Sequence, residues 1–206
     1  MLDKESLKGY FIVVDGPNGV GKSTLIEAIK NKLELLGYDV YITNEPTNTE
    51  LGSFLRKFAE EHTGLSLACL VAADRYEHIE KEIIPSLKKS RLVISDRYVL
   101  SSLILQEMDG VSSEIVLNLN SQIIKPDLQL AVFADEKILQ KRLSERNILT
   151  RFEKGNQSQR ELNFMEEGIT ELKRHNIDVM NIYNNDNLEE NVEKVVSYVV
   201  NNWRKA

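Results

Sequence analysis

Along the chain, short apolar runs alternate with longer segments whose apolar residues recur at helical spacing. The runs predict strands at Tyr10–Asp15, Asp39–Thr43, Leu92–Asp96, Leu128–Ala134 and Asp178–Tyr183. Several of them, "FIVV" and "LVIS" most clearly, are apolar throughout rather than alternating. That pattern belongs to strands covered on both faces in a parallel sheet. Helices are predicted over Gly21–Leu36, with Gly37 as a left-handed cap, and over Glu50–His62. Further helices are expected over Ser66–Ser90, interrupted at Pro85, over Asp135–Arg146 with Asp135 as N-cap, and over Leu188–Trp203. Regular strand–helix alternation implies an α/β fold around a parallel sheet with right-handed crossovers, in one domain spanning residues 1–206. The longest polar, weakly patterned stretch is "RNILTRFEKGNQSQRE", Arg146–Glu161, whose composition suggests a mobile segment.

Composition narrows the partners. Hydrophobic residues make up 42% and charged residues 28%, ordinary for a globular protein. The net charge of −6 argues against a general nucleic-acid binder, which would carry a basic face. It leaves room for small anions, since a local cluster of arginines can bind phosphate in an acidic protein. Cys69 is the only cysteine, so neither an intrachain disulfide nor a thiolate metal site can form. It reads as a small buried apolar residue. No apolar run approaches membrane-spanning length, and "MLDKESLKGY" lacks a hydrophobic signal core, so a cytoplasmic protein with no membrane partner is expected. His62, His78 and His175 have no metal-ligand spacing and read as helix-surface or helix-end residues.

The chemistry is concentrated in "GPNGVGKS", which follows the first predicted strand and opens the first helix. It satisfies the phosphate-loop pattern of Gly, four residues, Gly-Lys and Ser or Thr. Gly16, Gly19 and Gly21 let the backbone wrap with its N–H groups inward, and the helix start adds a positive dipole end. Lys22 supplies a point charge to the outer phosphates, and the Ser23 hydroxyl is placed to ligate Mg²⁺. Residues Gly16 and Asn18 to Thr24, Val20 included, therefore predict a nucleoside triphosphate site. A GTPase is disfavoured: "NK", Asn31-Lys32, lies inside the first helix and continues Leu-Glu rather than x-Asp. What remains is a small phosphotransferase with a second pocket for an acceptor.

A second strand-end signal is "RLVISDRYVLSS", Arg91–Ser102. Ligands of a doubly wound sheet collect at the carboxyl ends of its strands, so Asp15, Asp96 and Arg97 are expected to face the phosphate site. Asp96 is a candidate to hold Mg²⁺ through water. Arg97 can grip an acceptor phosphate with its guanidinium fork.

At this point the chain resembles the thymidylate kinases. "SDRYVLSSLILQ" is similar to their Asp-Arg-Tyr/His-x-x-Ser-Ser-x-Ala-Tyr-Gln segment, and "NEPTNTELGSFLR" to Arg-Glu-Pro-Gly-Gly-Thr-x-x-Gly-x-x-x-Arg. "LVAADRYEHIEKEIIPSL" resembles their long helix with Ala-x-Arg, "KPDLQLAVFADEKILQKRLSER" their Pro-Asp strand with its helix, and "TRFE" the Asp-Arg-Phe-Glu of their lid. The resemblance implies a three-layer phosphate-loop nucleoside monophosphate kinase fold with a central five-stranded parallel sheet. It implies transfer of the ATP γ-phosphoryl group to a nucleotide 5′-phosphate, dependence on Mg²⁺, and commonly a homodimer. Arg56 and Arg97 would contact the acceptor phosphate and Arg75 the base, with Ser101 and Gln106 near base or sugar; Glu45 would line the same pocket. Asn18 to Val20 are neutral, so the catalytic cations beside Lys22 and Arg97 would come from a lid near residues 146–161, with Arg142, Arg146 and Arg151 as candidates.

Departures from the family pattern cluster on the acceptor side. Asn18 stands where an acid meets the sugar 3′-hydroxyl, Val71 where an aromatic stacks on the base, and Leu105 where an aromatic precedes Gln106. Asn44, Thr47, Asn48 and Thr150 also differ. The sequence therefore predicts a monophosphate kinase with dTMP as acceptor, and leaves open another nucleotide or nucleoside acceptor, or an ATP-binding regulatory protein without transfer activity.

Overall fold

The computed structural model describes residues 7–144 and 157–203. Its five strands are β1 (Tyr10–Asp15), β2 (Val40–Asn44), β3 (Leu92–Asp96), β4 (Leu128–Phe133) and β5 (Val179–Tyr183). They form one sheet in the order β2-β3-β1-β4-β5, with every neighbouring pair parallel. Each lies within a residue or so of its predicted position.

Side-chain alternation in the buried strands divides the core into two layers. Ile12 and Val14 of β1 point to one face, where Leu25, Ile29 and Leu33 of α1 (Lys22–Leu35) meet Val192, Val195 and Val199 of α9 (Leu188–Asn202). Phe11 and Val13 point to the other face. There they meet α3 (Gly64–His78), α4 (Ile84–Lys88), α5 (Val99–Met108) and α8 (Gln157–Arg174). Helices on both faces of a parallel sheet give the three-layer α/β architecture expected. The remaining helices are α2 (Glu50–Glu61), α6 (Ser113–Leu119) and α7 (Glu136–Ser144).

The sequence reading expected neither α6 nor α8; α8 begins at Gln157, inside the stretch expected to be mobile, whose residues 146–156 lie outside the described residues. Two further differences have local causes. The long helical stretch after α2 breaks at one turn of π-helix, Ile79–Ile83, and not at Pro85. Pro85 lies just past the π-turn, inside a run that stays right-handed helical through Ile79, Ile83 and Ile84. The helix therefore widens for one turn ahead of the proline, which has no N–H to donate to the preceding turn, and does not end at it. Helix α5 follows the Asp96-Arg97 segment directly; seven of its ten residues are buried, so it has no polar stripe to advertise its period.

The topology positions the site. α1 leaves β1 toward one face, while α5 leaves the adjacent β3 toward the other. The crevice between such oppositely wound strands, at their carboxyl ends, is where open α/β sheets bind ligands. The glycine-rich loop after β1 and the Asp96-Arg97 turn after β3 both open there.

Candidate active site

The loop Gly16–Gly21 is fixed by close approach. A Cβ on Gly16 would lie 2.5 Å from the Val132 carbonyl oxygen, so only glycine lets the loop pass β4. Gly21 is the N-cap of α1 at φ 93°, a left-handed conformation that costs other residues energy. Lys22 folds over this loop: its Nζ donates to the Gly16 carbonyl at 2.9 Å and the Pro17 carbonyl at 3.1 Å. Burial pulls the Lys22 pKa down to about 8, with the Arg97 charge acting the same way and Asp96, Glu161 and Asp15 opposing.

Two cavities meet at this point. The larger, about 880 Å³, is lined by Lys22, the exposed Ser23 and Thr24, Arg142, Asn184 and Asp186. The smaller, about 360 Å³, is lined by Leu55, Arg56, Leu67, Val71, Leu105 and Gln106, so its walls are mainly aliphatic. Asn18, Glu45 and Arg97 line both cavities and form the seam between them. Arg97 sits at φ 78°, a strained conformation for a non-glycine residue and one that recurs at functional turns. Its guanidinium donates to Asn18 Oδ1 at 2.7 Å and to the Ser101 hydroxyl at 3.0 Å. Asn18 thus turns its oxygen toward Arg97 and leaves the amide N–H groups for the cleft.

Asp96 is half-buried beside Ser23, whose hydroxyl donates to Asp96 Oδ2 at 3.4 Å. Asp96 Oδ1 is buried with no hydrogen-bond partner. A hydroxyl and an orphaned carboxylate oxygen form a hard, oxygen-only donor pair of the kind Mg²⁺ takes when phosphate oxygens and water fill its remaining positions. The residues present therefore fit the ion. Among the described residues there is no cluster of three His, Cys, Asp or Glu side chains that could hold a metal by themselves.

Arg75 is almost fully buried, at 1% exposure, on the wall of the smaller cavity. Its Nε and Nη2 donate to Glu45 Oε2 at 2.9 and 2.7 Å, and Nη1 donates to Asn120 Oδ1 at 2.6 Å. Nη2 also reaches the Tyr98 carbonyl and the Ser102 hydroxyl. Five hydrogen-bond contacts hold the guanidinium in place. Gln106 lies beside it, 3% exposed, with a buried Oε1 that lacks a partner. Arg56 is exposed and donates to the Pro46 carbonyl at 2.7 Å.

Asp15 differs from the expectation. Its carboxylate is fully buried and turned to the start of α5, where Oδ1 accepts from Tyr98 N–H and Ser101 N–H, and Oδ2 accepts from Gln129. A carboxylate at a helix N-terminus satisfies orphan donors and complements the dipole, so Asp15 braces the cleft from behind without facing it. Burial raises its pKa, and hydrogen bonds from Ser101 and Tyr98, the Arg97 charge and the Gln129 bond oppose the rise. Two further corrections concern single residues. Cys69 is exposed, because it shares the outer face of α3 with Leu65 and Ala73. His78 is fully buried, held between Glu45 and Thr43, while His62 and His175 are exposed as expected.

Arg142 lies on the donor side, its Nη1 donating to the Val20 carbonyl at 3.1 Å, with Asp186 at 3.7 Å. Arg146 and Arg151 lie outside the described residues. The sequence reading missed Asn184 and Asp186. Asn184 donates to the Val20 carbonyl at 2.8 Å and so ties the end of β5 to the phosphate loop. The polar "NND" following an apolar strand was the available signal, by the same strand-end rule that singled out Asp96.

Comparison with known proteins places this geometry in context. A sequence model of the family described as thymidylate kinase matches residues 14–195. The chain is 36% identical over 156 residues to a probable thymidylate kinase of Pyrococcus abyssi, covering 72% of this chain and 76% of that one. It is 41% identical over 145 residues to a thymidylate kinase of Caldicellulosiruptor saccharolyticus, covering 66% and 70% respectively. It is 38% identical over 148 residues to a probable thymidylate kinase of Caldivirga maquilingensis, covering 70% and 72%.

Proposed function

Since this chain belongs to the thymidylate kinase family, we propose that its two cavities hold ATP and dTMP and that the γ-phosphoryl group crosses the seam between them. The enzyme is an ATP-dependent phosphotransferase acting on a nucleoside monophosphate. A dTMP phosphate oxygen forms a bond to the γ-phosphorus as the bond to the β,γ-bridging oxygen breaks, giving dTDP and ADP. The attacking phosphate is already anionic, so the protein needs to supply alignment and positive charge more than a base.

The observation that carries this reading is the seam itself, where Arg97 lines both cavities and Lys22 lines the larger one. Lys22 exchanges its two loop carbonyls for the outer phosphates of the donor. Gly16, Gly19, Val20, Gly21 and Thr24 enclose the donor phosphates, and Asn184 holds that loop in place. Ser23 and Asp96 would hold Mg²⁺, which neutralises charge on the donor phosphates when bound. Arg97 and Arg56 grip the acceptor phosphate, Arg56 by leaving the Pro46 carbonyl. Arg75, fixed by Glu45, donates to the base, and the unpartnered Gln106 Oε1 accepts from an N–H on its edge. Ser101, Val71 and Leu105 complete the acceptor pocket. Arg146 and Arg151, from the lid segment about residues 146–161, are proposed to neutralise the migrating group and exclude water.

A homodimer is part of the same proposal. Leu65, 54% exposed, shares the outer face of α3 with Cys69 and Ala73, and Phe54 of α2 is 55% exposed. An apolar strip of this kind supports a subunit contact. A cytoplasmic setting is proposed as well, in keeping with a single exposed thiol.

The test is ADP release with Mg-ATP and a panel of individual nucleoside monophosphates. Turnover with dTMP well above the other acceptors is expected. Turnover confined to a different acceptor, or ATP binding without transfer, would overturn the reading.

A further inference from the structure

Behind the acceptor cavity lies a buried imidazole that lines neither cavity. His78 is 0% exposed, and its Nδ1 is 3.1 Å from Glu45 Oε1 while its Nε2 is 2.7 Å from Thr43 Oγ1. The carboxylate has no proton to give, so Nδ1–H is the donor in the first contact. Thr43 Oγ1 is also 2.8 Å from Glu82 Oε2, so its one hydroxyl proton serves either His78 Nε2 or Glu82, and Tyr41 Oη donates to the same Glu82 oxygen at 2.8 Å. Arg75 and His78 of α3 and Glu82 of the π-turn stand at i, i+3 and i+7, so one face of this helix presents all three toward β2.

Glu45 is the vulnerable member. It lines both cavities, at the seam where two phosphates are brought together. A carboxylate there is tolerable only if its charge is turned away. Oε2 is occupied by two N–H groups of Arg75. Oε1 is occupied by His78 alone. Without that contact the carboxylate can rotate about its last torsion, loosening its hold on Arg75 and presenting negative charge to an incoming anion.

We propose that His78 is a positioning residue for acceptor recognition: it pins Glu45, which keeps Arg75 aimed at the base and its own charge out of the cleft. The proposal rests on reading the smaller cavity as the acceptor site. A group that locks the rotamer of a binding residue acts on affinity without touching the ligand.

Two substitutions separate this role from general packing. His78→Asn keeps an N–H near the position of Nδ1, whereas His78→Gln carries its amide out toward Nε2. The measurement is KM for dTMP, KM for ATP and kcat for the parent and both variants, with thermal unfolding of each and a crystal structure of His78→Gln. His78→Gln is expected to raise KM for dTMP about tenfold, with kcat and the ATP KM within about threefold. His78→Asn is expected to stay within about threefold of the parent throughout. In His78→Gln the Glu45 carboxylate should be rotated and its paired contact with Arg75 lost. Equal behaviour of the two variants, or a parallel change in both KM values that follows the loss of thermal stability, overturns the proposal. So does a His78→Gln structure with Glu45 and Arg75 unmoved. A parent that does not turn over dTMP refutes the assignment of the acceptor instead, and the His78→Gln structure then decides the positioning role by itself.

Discussion

Replacing Glu45 with alanine removes two charge-assisted hydrogen bonds to Arg75, at 2.9 and 2.7 Å, and the contact to His78. Both side chains of the ion pair are nearly inaccessible, 2% exposed for Arg75 and 6% for Glu45. The substitution therefore leaves a guanidinium buried without its counter-charge. Breaking such a pair from one side costs about 3–5 kcal/mol. Arg75 keeps Asn120, Ser102 and the Tyr98 carbonyl, and its guanidinium stays 5.1 Å from the centre of the Tyr98 ring, so the lower part of that range applies. The expected loss is about 3–4 kcal/mol, which in a domain of this size lowers Tm by roughly 6–16 °C. Glu45→Gln retains an acceptor for Arg75 and removes only the charge, so it should lose about 1–2 kcal/mol. Both variants should stay folded at 25 °C, since domains of this kind hold about 5–15 kcal/mol in reserve. Urea unfolding followed by far-ultraviolet circular dichroism gives the free energies, and the slope of the transition checks that the denatured state is unchanged. A Glu45→Ala protein within about 1 kcal/mol of the parent would refute the reasoning. It would mean that the pair is already wet and that Arg75 does not depend on Glu45 for its position.

Three further outcomes follow from the same geometry. Lys22→Ala should lower kcat by a factor on the order of 10²–10³ with an unchanged circular dichroism spectrum, the cost of deleting one preorganised donor at a developing anion; activity near that of the parent would remove Lys22 from the mechanism. Asp96→Asn should raise the Mg²⁺ concentration for half-maximal rate about tenfold or more, and a titration of rate against free Mg²⁺ with no shift would take Asp96 out of the metal site. Val71→Phe should lower KM for dTMP about tenfold, because a stacked aromatic is worth on the order of 1–3 kcal/mol per base; a raised KM would show that the aliphatic wall is shaped for a different base.

The sheet was legible because buried parallel strands write themselves as uninterrupted apolar runs, and "FIVV" and "LVIS" fell where β1 and β3 lie. The phosphate loop was legible because its glycines answer a local demand, visible at Gly16 and Gly21 as a close approach and a left-handed turn. What stayed hidden depends on contacts distant in sequence. Asp15 was expected in the cleft, since nothing in "VVDG" tells that its carboxylate will meet Tyr98 and Ser101, more than eighty residues away. His78 was expected on a surface, and only the approach of Glu45 and Thr43 from across the sheet edge makes its burial affordable. Cys69 was expected inside because its type favours burial, whereas its helical phase places it with Leu65 and Ala73 on the outer face. Helix α5 carried no periodic signal because nearly all of it is covered.

The most direct test of the central claim is a crystal structure of the enzyme with dTMP, Mg²⁺ and a non-hydrolysable ATP analogue bound together. The terminal phosphate of the analogue is expected within hydrogen-bond reach of Lys22 Nζ, released from the Gly16 and Pro17 carbonyls, with the dTMP phosphate on Arg97 in line with it. A dTMP bound outside the Val71–Leu105–Gln106 cavity, or a terminal phosphate remote from both Lys22 and Arg97, would contradict the claim.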